Sequence, residues 1–97
     1  MFRGGFSEFM EREINQFISY LHNIKKTSNN TELSYKRDLG KLNQYLEEKG
    51  IYDVNNIDID ILNSYIVYLG DNHFAAATIS RNVASLKAFF HYLCKEG

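Results

Sequence analysis

Apolar residues recur along this chain at helical spacing in four successive stretches. In the first, Met10, Ile14, Phe17, Ile18, Leu21 and Ile24 share one face, predicting a helix from Ser7 to about Lys26. Ser7 is placed as its N-cap; Glu8, Glu11 and Glu13 suit the positive end of its dipole, and Lys25 and Lys26 the negative end. Thr27-Ser28-Asn29-Asn30 then reads as a turn, with Asn29 and Glu32 spaced as a capping box. A second helix carries Tyr35, Leu39, Leu42 and Leu46 on one face and stops at Gly50, where glycine accepts the left-handed closing conformation. Ile51 to Asn56 is a connection. Asp58 is placed as the cap of a short third helix, stapled by Ile57 and Leu62 and buried along Leu62, Tyr65, Ile66 and Leu69 until Gly70-Asp71-Asn72. The fourth runs from about Ala76 to Lys95, with Ile79, Val83, Leu86, Phe90 and Leu93 as its buried stripe.

Four amphipathic helices with short links and no credible strand predict an all-α fold, a compact four-helix bundle. At 97 residues the chain has room for one core. Residues 1–7 read as a flexible lead-in and 8–97 as the domain. Seven Tyr and seven Phe supply large rings for that core, so the chain is not a disordered tail. With no proline, helix ends are set by Gly, Asn, Asp and Ser. The single cysteine, Cys94, rules out an internal disulfide and fits a reducing cytoplasm. No apolar run approaches the roughly 18 residues of a membrane span, and no signal-peptide pattern opens the chain; a soluble protein without a membrane partner is expected.

The net charge of −1 gives no general attraction to nucleic acid, so any such affinity depends on where the charges sit. Two polar stripes stand out. On the second helix Asn30, Ser34, Arg37 and Lys41 recur at spacings of 4, 3 and 4, away from the predicted core face. On the fourth, Thr78, Arg81 and Ser85 recur at spacings of 3 and 4, again away from its predicted stripe. Both mix small hydroxyl or amide groups with Arg or Lys and contain no acid. Such a face suits a DNA groove, where cations meet phosphates or guanine edges and small polar groups approach without bulk. The same composition is also that of an ordinary solvated helix face.

Two longer stretches carry a resemblance. Thr27-Ser28-Asn29-Asn30-Thr31-Glu32-Leu33-Ser34-Tyr35-Lys36-Arg37-Asp38-Leu39 is similar to an S-x-N-T, Y, R-D-L pattern. Ala77-Thr78-Ile79-Ser80-Arg81-Asn82-Val83-Ala84-Ser85-Leu86-Lys87-Ala88-Phe89-Phe90-His91-Tyr92-Leu93 is similar to A-T-I-x-R-x-(L/I)-S-A-L-(R/K)-x-F-(F/Y)-x-Y-L. Together, in this order, they resemble the N-terminal core-binding, SAM-like domain of tyrosine recombinases of the phage-integrase type, over about residues 10 to 97. The resemblance implies one half of a C-shaped clamp on double-stranded DNA, its second and fourth helices facing the major groove. Thr31, Ser34 and Arg37 would then be contacts from one helix and Thr78, Arg81 and Ser85 from the other, with Lys87 as a phosphate partner. It further implies other recombinase protomers as partners in a synaptic complex, with the isolated domain a monomer.

Catalysis in that family needs a tyrosine nucleophile, arginines and a His-x-x-Arg motif. Here His22 leads to Lys25, His73 to Ala76 and His91 to Cys94, so the chain is expected to be non-catalytic and to need no cofactor. Scattered histidines and one cysteine make no zinc site, and Cys94 is expected to be a half-buried structural thiol. Asp58 and Asp60 are explained as a cap and its solvated neighbour. A competing role is a helical protein-interaction module, docking through Phe89 and Tyr92 if these lie exposed beside the core stripe.

Overall fold

The computed structural model describes residues 10–96; the Ser7 cap and the lead-in lie outside them. Four α-helices form the fold, α1 (Glu11–Tyr20), α2 (Asn29–Glu48), α3 (Ile59–Asp71) and α4 (Ala76–Glu96), and no strand occurs among the described residues. The predicted all-α bundle is therefore what forms.

α1 does not continue unchanged to Lys26. Its last stretch, Leu21–Lys25, is a π-helical turn closed by Lys26 in the left-handed conformation. The wider turn breaks the 3.6-residue register. Leu21 stays in the core, whereas Ile24, expected on the buried face, is 66% exposed.

The α1–α2 corner is set by Ser28 rather than Asn29. The Ser28 hydroxyl accepts the Thr31 N–H at 3.2 Å and caps α2. Glu32 is consequently not half of a capping box. It is buried and turns back on the corner, accepting the Thr27 hydroxyl at 2.7 Å and lying 3.2 Å from His22 Nδ1. At the far end Gly50 takes φ 79°, while its N–H bonds the Glu47 carbonyl and that of Ile51 bonds the Leu46 carbonyl, a Schellman closure. The connection holds a 3₁₀ turn at Val54–Asn56 capped by Asp53. Asp58 caps α3 as predicted, its carboxylate accepting the Ile61 N–H at 2.9 Å. α3 ends in the same closure, but with His73 rather than a glycine in the left-handed position.

The core is a line of rings and aliphatic chains from all four helices: Ile14 and Phe17 of α1, Leu39, Leu42, Tyr45 and Leu46 of α2, Tyr65 and Leu69 of α3, and Leu86 and Phe89 of α4. Phe17 sits at its centre, with ring centroids 5.5 Å from both Tyr35 and Phe89 and 5.2 Å from Tyr92.

α4 is turned relative to its predicted stripe. The most deeply buried residues are Asn82, Ser85, Leu86 and Phe89, while Ile79, Val83, Phe90 and Leu93 are only half-buried. The buried line thus runs through 82, 85, 86 and 89: Leu86 keeps its predicted place, while Asn82 and Phe89 are buried in place of Val83 and Phe90 and Ser85 joins Leu86 inside. Two expectations change with it. Phe89 is fully buried and offers nothing to a partner, and Ser85 points inward. Cys94, expected half-buried, is exposed.

Candidate nucleic-acid interface

What draws Ser85 inward is an acid. Asp38 continues the apolar line Tyr35, Leu42, Tyr45 of α2 and has no exposed surface. A buried carboxylate is tolerated only when its charge is met and its lone pairs are used. Asp38 meets both needs from α4: Arg81 Nε donates to Oδ2 at 3.0 Å, Arg81 Nη2 to Oδ1 at 2.8 Å, and the Ser85 hydroxyl to Oδ2 at 3.0 Å. Hydrogen bonds to Asp38, and then its negative charge, raise the already high pKa of the Arg81 guanidinium further. Arg81 is therefore a permanent cation, held at its inner edge while 47% of its side chain stays in solvent.

This clamp fixes the two helices side by side. Near the start of α4, the Lys41 ammonium lies 4.6 Å above the Phe74 ring. Near its end, Tyr35 and Thr27 line the same hollow as Ala88, His91 and Lys95, with Lys25 alongside. Numbers rise along α2 as they fall along α4, so the helices run antiparallel with Asp38 and Arg81 midway.

The predicted site residues distribute unevenly over this pair. Asn30, Thr31 and Arg37 are exposed on α2, and Ser34 and Lys41 are half-buried on the flank beside Asp38. The Thr31 hydroxyl also accepts a hydrogen bond from Ser28. Thr78 is half-buried one turn before exposed Arg81. Ser85 is 4% exposed with its hydroxyl committed to Asp38, so the expectation that it faces outward is corrected. Lys87 is exposed but lies elsewhere: six residues beyond Arg81, it is about 120° around the helix. There it borders an apolar groove with Ile59, Leu62, Ile66 and Phe90.

Burial also changes how the charge reads. Eight of the eleven Lys and Arg residues fall in two stretches: Lys25, Lys26, Lys36, Arg37 and Lys41, then Arg81, Lys87 and Lys95. Only two acids, Glu32 and Asp38, occur between residues 25 and 41, and none between 76 and 95. Both acids are buried and engaged by the protein. Every charged group that α4 up to Lys95 and the first half of α2 present to solvent is consequently a cation.

Sequence reasoning missed Asp38, although a signal was present. An acid continuing the Tyr35-Leu42-Tyr45 line had to find a cation and a hydroxyl elsewhere, and Arg81 and Ser85, one turn apart, were the pair able to provide them. Deeper in the bundle, burial pushes the Tyr65 phenol well above its usual pKa, with the charge of Asp38 and then Tyr68 adding to the effect. The Tyr65 hydroxyl has no hydrogen-bond partner among the described residues. No group of three or more potential metal ligands occurs among them either, and no helix is long and apolar enough to cross a membrane.

The described residues thus form an all-α bundle with a basic, acid-free outer side on α4 up to Lys95 and the first half of α2. Comparison with known proteins places it more narrowly: residues 14–97 match the family described as the phage integrase N-terminal SAM-like domain, and the chain belongs to that family. It is similar to the tyrosine recombinase XerC of Herpetosiphon aurantiacus, 30% identical over 87% of this chain and 28% of that protein. It is likewise similar to XerD of Rickettsia bellii, 32% identical over 86% of this chain and 27% of that protein. XerC of Pseudomonas putida is 30% identical over 91% of this chain and 29% of its own length. The chain thus spans between a quarter and a third of these relatives. No solved structure gives a significant match.

Proposed function

We propose that this chain is a DNA-binding module for site-specific recombination, seating the side shared by α2 and the first half of α4 against the major groove of a duplex. The family and the recombinase names of its relatives set the context. The observation that carries the proposal is the cation-only solvent face of residues 25–41 and 76–95, left so because Glu32 and Asp38 are withdrawn into the protein. In this arrangement Asn30, Thr31, Ser34, Arg37 and Lys41 approach from α2, and Thr78 and Arg81 from α4. Ser85 acts from behind Arg81, and Lys87 reaches only a neighbouring phosphate. The module does no chemistry itself; cleavage falls to another part of a longer recombinase, acting in the cytoplasm with further protomers.

Fluorescence anisotropy of labelled duplexes tests this. Binding should weaken linearly in log salt as counterions are displaced. Arg37→Ala, an exposed change with little consequence for folding, should lower affinity by about 5- to 150-fold if Arg37 reaches a base, and by a similar factor on every sequence if it meets a phosphate. Parent-like affinity in both Arg37→Ala and Thr78→Ala would remove the assigned face.

A further inference from the structure

We infer that Arg81 reads the major-groove edge of a guanine and that buried Asp38 is the positioning residue that aims it. The inference rests on the DNA-binding reading above and concerns how that face discriminates sequence.

A guanidinium carries five N–H donors in one plane. Asp38 takes the side edge, Nε–H and one hydrogen of Nη2, at 3.0 and 2.8 Å. Three hydrogens remain, two on Nη1 and one on Nη2. Nη1 has no partner among the described residues. The remaining Nη1–Nη2 edge lies on the side of the guanidinium away from the Nε bond to Asp38, and the side chain is 47% exposed. Its parallel N–H pair matches the O6 and N7 acceptors of guanine. Adenine offers N7 beside an amino donor and so opposes one of the two hydrogens.

The environment favours a base over a phosphate. Paired with Asp38, Arg81 is close to electrically neutral as a unit and gains less from a phosphate than free Arg37 does. Its fork is already immobilised, because Asp38 is fully buried and Ser85 holds the shared Oδ2 at 3.0 Å. Little rotamer freedom is then left to lose on docking, which favours a contact demanding fixed geometry. Ser85 belongs to the same device at one remove.

The probe is a short duplex enriched from a randomised pool by binding to the parent protein, each guanine replaced in turn by 7-deazaguanine, which lacks the N7 acceptor. At one position the replacement should weaken parent binding about tenfold. Arg81→Gln, which removes the guanidinium fork, should lose this sensitivity. Asp38→Asn should lose most of it, although Arg81 is still present. Because either change disturbs a buried pair, the double variant Asp38→Asn/Arg81→Gln, which replaces the ion pair by two amides, serves as a second test. Circular dichroism and a cooperative melt verify its fold. It should be equally indifferent to 7-deazaguanine at that position and keep the parent salt dependence. A salt slope shallower by about one in the double variant identifies a phosphate contact and overturns the proposal. So does a deazaguanine map in which no penalty depends on Arg81. If that map is flat while Arg37→Ala still weakens binding, base reading falls and DNA binding stands; if the parent binds no duplex, both fall.

Discussion

The rotation of α4 decides which residues reach solvent, and adjacent phenylalanines make it measurable. With Ile79, Val83, Leu86 and Phe90 inward, Phe90 is a core ring and Phe89 a flank. In the structure the order is reversed: Phe89 has no exposed surface, its ring 5.5 Å from Phe17 and 5.2 Å from Phe90, whereas Phe90 is half-buried. A phenylalanine ring buries on the order of 150–250 Å², and truncating a buried one to alanine costs about 3–5 kcal/mol, the cavity included. Phe90→Ala should cost roughly half as much, leaving about 2 kcal/mol between the two variants. For a domain of this length that difference corresponds to melting temperatures about 8–16 °C apart, Phe89→Ala being the lower. Total stability of small domains is only about 5–15 kcal/mol, so Phe89→Leu and Phe90→Leu provide a milder pair in which the same order should persist. Thermal and urea unfolding followed by circular dichroism give both values. If Phe90 proves the costlier position, α4 is turned back to its sequence-derived stripe, Ser85 returns to the surface, and the Asp38–Arg81 clamp cannot form as described.

Other consequences are open to the same assays. Ser28→Ala should cost about 1 kcal/mol by removing the α2 cap, while Asn29→Ala, on the first residue inside the helix, should stay within about 0.5 kcal/mol of the parent; equal losses would restore Asn29 as the cap. Gly40 lies inside α2 with nothing within 4 Å of an added Cβ, so Gly40→Ala should stabilise by about 0.5–1 kcal/mol in urea titrations. Tyr65 has a folded pKa raised above its unfolded value of about 10, so the stability it contributes is intact below pH 10 and declines as pH rises further. Tyr65→Phe should remove that part of the alkaline loss and, by deleting an unpartnered buried hydroxyl, leave neutral-pH stability unchanged or improved; a large loss at neutral pH would reveal a partner for the hydroxyl.

Much of this fold was legible in the sequence because its determinants are local. The stripes of α1 to α3, the Asp58 cap and the Gly50 closure each depend on residues within a few positions of one another. What escaped was decided across the bundle. In α4, Phe89-Phe90 is an adjacent pair in which either member can serve the core, and periodicity alone does not choose; nor does it show that Ser85 is buried beside the correctly placed Leu86. The choice is made by Asp38, 43 residues before Arg81, which draws Arg81 and Ser85 to one side of the helix. The corner at Thr27 behaves alike: Ser28 and Asn29 are both competent caps, and Glu32 is unavailable to Asn29 because Thr27 and His22 engage it. Ile24 left the core through a change of helical pitch that no local residue pattern announces.

The same two buried acids resolve the conflict between a net charge of −1 and affinity for a polyanion. At physiological ionic strength, charges more than about 8 Å apart are largely screened from each other, so a docking phosphate responds to the local face and not to the total. The ten acids other than Glu32 and Asp38 all lie outside residues 25–41 and 76–95. Within those stretches, folding conceals both carboxylates and leaves the lysines and arginines outside. The positive face is thus a product of the fold, and the unfolded chain lacks it. Substituting Asp38 should therefore act on DNA binding in two ways, by loosening the α2–α4 seam and by unmasking the charge of Arg81, with which it forms a nearly neutral pair. An exposed acid introduced beside the two buried carboxylates, as in Lys36→Glu, should act through potential alone: duplex affinity should fall steeply at low salt, converge on the parent value as salt rises, and leave the melting temperature nearly unchanged. An equal loss at all salt concentrations would mean that Lys36 contributes through specific contacts, and the electrostatic account of this face would have to be abandoned.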